Sequence, residues 1–214
     1  MCIEKKCSPA PRKRPVASTC LASLLGVLLL LPSAIPSARA DGKDGGEAAA
    51  AVQKRPTIIV HKSKRHLLYF ENDVLKRDYP IVLGKKPKGH KLRRGDYRTP
   101  EGEYYITHKS TASRFYRFMG LSYPNIEDAR RGLTRKLIDQ AQFLIIKTAI
   151  KRRQRPPSGT RLGGLIGIHG EGEYRGFTSR HRINWTEGCI SVSDEDMKVL
   201  YEKVDVGTPV VILP

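Results

Sequence analysis

The residues best suited to covalent chemistry lie near the end of the 214-residue chain. Cys189 stands in residues 185–193, WTEGCISVS, behind Gly188 and ahead of alternating apolar and small polar residues. A cysteine in such a setting is a buried plug, half of a disulfide, a metal ligand or a nucleophile. As a nucleophile it is weak at neutral pH, because a free thiol has a pKa of about 8.5. It then needs a base, a group that orients the base, and donors for an oxyanion. His169 ends the apolar stretch LIGIHG, where a rigid strand emerges into a loop and can hold a functional side chain. Gly188 leaves the backbone beside Cys189 uncrowded, so the Gly188 and Cys189 amides are candidate oxyanion donors. Sixteen residues separate His169 from Thr186, enough to return a second strand beside the first.

The N-terminus narrows the choice for Cys189. Lys5, Lys6, Arg12, Lys13 and Arg14 precede a 12-residue apolar run, residues 20–31, which Pro32 ends; Ala38 and Ala40 then flank Arg39. This reads as a secretory signal peptide over residues 1–40, cleaved after Ala40. The run is short of the roughly 20 residues that span a membrane, so no stable insertion is expected after cleavage. An exported protein of the periplasm or cell envelope is the expectation. Cys2, Cys7 and Cys20 leave with the leader, and the mature chain keeps Cys189 alone. An internal disulfide and a two-cysteine metal site both fall. Burial and chemistry remain, and on the cysteine count they stand even.

Loss of the leader's six cations and one acid lowers the formal net charge from +18 to +13. Such a charge suits polyanionic partners: nucleic acid, an anionic lipid surface or a carboxylate-rich cell wall. Export and the lack of an aromatic-interleaved basic motif argue against nucleic acid. No carboxylate and histidine spacing suggests a metal, and no cofactor is expected.

The elements that must position these residues are mainly β. Residues 41–56 are Gly/Ala-rich and polar, a flexible linker. From Thr57, TIIVHKSKRHLLYF reads as two strands about a polar HKSK turn, and NDVLKRDYPIVLG as two more. A turn at residues 99–102 leads into the strand EYYITHK. Asn125 and Asp128 make a capping-box start for a helical pattern reaching about Arg153, which Gly132 is placed to split. CISVS is a short strand, DEDMKVLYEKV a helix capped by Ser193, and GTPVVIL a closing strand. Residues 57–213 form one α+β domain: a β-rich sheet or sandwich with helical elements.

His169-Gly170 followed by Thr186-Glu187-Gly188-Cys189-Ile190-Ser191 resembles the signature of the L,D-transpeptidase (YkuD-type) family, in its periplasmic subgroup. GDYRTPEGEYYI, LSYPN and VDVGTPVVI resemble further parts of that domain, so the likeness spans nearly all of residues 57–213. The resemblance implies a β-sandwich with a helical insertion and a cysteine enzyme acting on peptidoglycan stem peptides through a thioester. Cys189 would be the acylated nucleophile and His169 the proton carrier. Gly170 would orient His169, and the amides about Gly188 would bind the oxyanion. Glu187 and Ser191 depart from the commoner family residues, and with Thr186 and Trp185 they are candidate substrate contacts. The style of this segment is similar to a branch that cleaves links between peptidoglycan and lipoprotein, which makes a wall-linked lipoprotein a candidate partner and hydrolysis an alternative. A non-catalytic wall-binding module is the alternative of another class.

Several residues invite plainer readings. His61, His66, His90 and His108 are expected in turns or on polar strand faces, solvated; His181 reads as surface. Trp185 either walls the site or packs, with packing the plainer role. Arg114, Arg117, Arg175, Arg180 and Arg182 are candidates for peptide carboxylates.

Overall fold

The computed structural model describes residues 56–174 and 183–214. The leader, the linker up to residue 55, Arg175, Arg180, His181 and Arg182 lie outside these residues. Eight strands make one sheet: β1 (Thr57–His61), β2 (His66–Glu71), β3 (Val74–Pro80), β4 (Gly102–Ser113), β5 (Tyr116–Leu121), β6 (Gly167–His169), β7 (Ile190–Ser191) and β8 (Pro209–Leu213). Their order is β3-β2-β1-β8-β4-β5-β6-β7. The sheet curls until its edges meet: Val82, just past β3, bridges Ser191 of β7, and Gly84 bridges Thr186. Closure satisfies backbone groups that an open edge would leave unpaired.

Period-2 alternation builds the core. Ile58 and Val60, Leu67 and Tyr69, Tyr104 and Ile106, and Val210 and Ile212 point inward and are buried in one cluster. Ile168 of β6 and Ile190 of β7 join them, as do Met197 and Leu200 of helix α3 (Asp194–Lys203). Ser193 caps α3, its side chain accepting from the Asp196 N–H.

The helical stretch forms two helices, α1 (Ile126–Thr134) and α2 (Gln140–Lys151), each begun by a full capping box. The break falls at residues 135–139, not at Gly132. That glycine is buried within α1 because the Leu162 side chain lies against it. The pair has its own small core of Ala129, Ile138, Ile146 and Leu162. Asp128 fastens it to the sheet: its carboxylate accepts from the Tyr104 hydroxyl (3.0 Å), the Asn125 N–H (2.9 Å) and Arg131 (2.7 Å). His90 lies 2.9 Å from the same carboxylate and accepts from the Glu101 N–H (3.0 Å). His90 is thus a joint between loop and helix, not a solvated turn residue. Lys62 of the HKSK turn is also buried; its ammonium donates to Gly89 O, Thr99 O and Glu101 Oε1 at 2.7–2.9 Å. All three donors of this ammonium are satisfied, and they tie the β1–β2 turn to the long loop after β3.

The candidate active site

Parallel pairing sets the two key residues. Ile168 pairs with Ile190 and His169 with Ser191, and both isoleucines face the core. Alternation therefore turns His169, Cys189 and Ser191 to the opposite face. His169 and Cys189 open together into a cleft of about 670 Å³. Its walls carry Lys85, Lys91, Arg94 and Arg114 against one carboxylate, Glu187.

His169 is 1 % exposed, and its Nδ1 lies 2.6 Å from the Gly170 carbonyl. A carbonyl only accepts, so Nδ1 carries the proton and Nε2 keeps the basic lone pair. Phe115 stacks on the ring at 4.4 Å and Trp185 meets it edge-on at 5.6 Å. Burial holds the imidazole down at about 4; the Gly170 carbonyl pulls the other way, and Arg114 adds to the depression. Gly170 must be glycine here, since a Cβ would strike the Asp194 carboxylate. That carboxylate, at the start of α3, accepts from the Glu171 and Gly172 amides at 2.8 and 3.0 Å, closing the chain behind His169.

Cys189 is half-buried, and its thiol points at the Leu165 carbonyl at 3.5 Å. Burial pushes the thiol up to about 11, against the Gly167 backbone N–H and the Lys91 charge, and Glu187 adds to the rise. Burial thus favours the neutral form of both the thiol and the imidazole that line this cleft. Gly188 has φ +134°, and a Cβ there would lie 2.6 Å from Arg98 O. The Gly188 N–H donates to Thr186 Oγ1 (3.2 Å), whose hydroxyl donates to Cys189 O (2.7 Å). The Gly188 amide is thus occupied in holding the turn, which leaves the Cys189 amide as the candidate oxyanion donor of the pair.

The remaining candidates separate. Trp185 both packs and walls the cleft, and Glu187 stands exposed at its rim. Thr186, 3 % exposed, braces the turn. Ser191, a candidate substrate contact, is buried, and its hydroxyl donates to the Gly170 carbonyl at 3.2 Å. It shares the acceptor that orients His169. Arg114 lines the cleft, whereas Arg117 packs over Tyr116 and Tyr201. Two site residues were missed in the sequence, Phe115 and Lys91. Phe115 lies in the turn just before β5, a strand the sequence did not mark, and Lys91 sat among ordinary basic loop residues. No group of three or more His, Cys, Asp or Glu able to hold a metal occurs among the described residues. No helix among them is long and apolar enough to cross a membrane.

Comparison with curated proteins found no match. Among solved structures, the helical cell shape determining protein Pgp2 (K307A mutant) of Campylobacter jejuni is similar, at 20% identity and TM-score 0.50; the match covers 74% of this chain and 46% of that one. Bd1075 of Bdellovibrio bacteriovorus matches at 22% identity and TM-score 0.47, over 74% of this chain and 48% of that one. L,D-transpeptidase 1 of Mycobacterium tuberculosis matches at 13% and 0.40, over 74% and 61%. The chain spans about half the length of the first two. The family model of the YkuD L,D-transpeptidase catalytic domain matches residues 55–212. The chain belongs to the L,D-transpeptidase catalytic domain family.

Proposed function

We propose that this protein is a cysteine-dependent L,D-transpeptidase that remodels peptidoglycan, the polymer on which its family acts. Cys189 Sγ attacks the carbonyl of the bond before the terminal D-residue of a stem peptide. The thiol proton passes to His169 Nε2 as the S–C bond forms, and the Cys189 N–H supports the oxyanion. His169 then gives that proton to the departing amine, leaving a thioester. An amine of a second stem attacks the thioester; His169 takes its proton and returns it to the sulfur. Because thiol and imidazole start neutral, proton transfer accompanies attack rather than preceding it. The cationic walls of the cleft suit a donor rich in carboxylates.

One observation carries this reading: a half-buried thiol and a tautomer-fixed imidazole share one cleft in a member of this family. On the same reading the working protein acts in the cell envelope after loss of residues 1–40. The test is incubation of the protein with purified muropeptides, read by mass spectrometry. Crosslinked dimers that vanish in Cys189→Ala are expected. Trimmed or released stems without dimers would replace transfer by hydrolysis, and no turnover would leave a binding module.

A further inference from the structure

We propose that Lys91, clamped by Asp96, is a positioning cation that holds negative charge at Cys189, on the sulfur as it loses its proton and then on the oxyanion. The inference rests on Cys189 being the nucleophile. Of the four cations lining the cleft, Lys85, Arg94 and Arg114 are exposed, so solvent and salt screen them. Lys91 alone is buried, its side chain 3 % exposed, where a charge acts at far lower effective dielectric.

A buried ammonium is costly unless it is paired and hydrogen-bonded. Lys91 Nζ donates to Asp96 Oδ1 at 2.7 Å and to Arg93 O at 3.2 Å. Asp96 in turn accepts from the Leu92, Arg93 and Arg98 amides at 2.7, 3.0 and 3.1 Å. Burial works against ionised Asp96, yet Lys91 and these amides outweigh it and hold the carboxyl below its usual range. The carboxylate therefore faces the ammonium directly. A Lys ammonium has three donors, and two are spent within the loop.

The loop that carries this pair is fixed against the catalytic turn. Lys62 holds it at Gly89 O and Thr99 O, Lys86 N–H bonds Tyr97 O at 3.0 Å, and Arg94 N–H bonds Arg161 O at 2.9 Å. Its Arg98 carbonyl fills the space beside the Gly188 Cα. The cation is thus set in place before reaction, as electrostatic stabilisation requires. The other charged or titratable groups on the cleft are His169 from β6, Tyr174 from the short helical turn after it, Glu187 from the catalytic turn itself, Lys85 and Arg94 from the loop, and Arg114 between β4 and β5. No proton moves at Lys91; the thiol proton goes to His169.

The test is the rate of iodoacetamide labelling of Cys189 on the full chain, followed by mass from pH 7 to 9.5. Thiolate displaces iodide, so the wild-type rate should rise about tenfold per pH unit. Lys91→Met should give a parallel profile about one unit higher, roughly tenfold slower at each pH. Lys91→Arg should recover most of the loss, and carbapenem acylation should follow the same order. Lys91→Met/Asp96→Asn, which buries no unpaired charge, should show the same displacement and serves if the single variant does not fold. A folded variant that labels on the wild-type profile would overturn the inference while leaving Cys189 the nucleophile. Failure of the wild type to label at all would overturn the nucleophile and the inference with it.

Discussion

Replacing Thr186 by valine tests how the nucleophile is presented. The Thr186 hydroxyl holds two links at once, accepting from Gly188 N–H and donating to Cys189 O. Its backbone stays anchored, since Thr186 N–H bonds Leu83 O and Lys85 N–H bonds Thr186 O. Valine keeps the volume but leaves a buried N–H and a part-buried carbonyl without the Thr186 hydroxyl. Such a loss costs about 1–3 kcal/mol for a fully buried group and about 1 kcal/mol for the part-buried carbonyl, so a total of about 2–4 kcal/mol is expected. For a domain of this size that is a fall in Tm of roughly 5–15 °C. Urea unfolding with an unchanged m value reads the stability, and carbapenem acylation reads the site. Acylation should slow by about tenfold or more, because a small displacement of a nucleophile is expensive. Thr186→Ser keeps both bonds and should lose only about 1 kcal/mol for the methyl group. Thr186→Val within about 0.5 kcal/mol of wild type and acylating normally, or serine as damaging as valine, would refute this reasoning.

His169 makes stability depend on acid. Its folded pKa of about 4 lies below the ordinary 6.5, so between these values the unfolded chain binds more protons. Stability from this group is then full above about pH 6.5 and is lost as pH falls toward 4, by about 3 kcal/mol. His169→Phe should lose that much less than wild type when urea midpoints at pH 7 and pH 4 are compared. Gly188→Ala should destabilise by about 2–4 kcal/mol and abolish acylation, since φ +134° and the Arg98 carbonyl both oppose a Cβ; a thermal melt and an acylation time course check this. In Ser191→Ala the Gly170 carbonyl loses one of two donors, and a modest fall of about 1 kcal/mol with an unchanged KM for muropeptides is expected, whereas a substrate contact would raise KM.

Strands with clean alternation, such as residues 57–61, were legible because one face is wholly apolar. β5 was not, since YRFMGL is partly buried over its first half and buried over its second, with an arginine and a glycine inside it. NDVLKRDYPIVLG forms only one strand; Ile81, Val82 and Leu83 look like a second but close the sheet through isolated bridges. Cys189 and His169 could be singled out because strand end, glycine and spacing are local. Lys91 could not, because what sets it apart from Lys85 or Arg94 is burial against Asp96. The Ser191 bond was illegible for the same reason: a serine in a short strand gives no sign of which carbonyl its hydroxyl reaches.

Intact-protein mass spectrometry with a carbapenem tests the role of Cys189 most directly. A single covalent adduct on the wild type, mapped to Cys189 and lost in Cys189→Ala, is the expected result. No adduct on folded wild type, or an adduct that persists in Cys189→Ala, would contradict it.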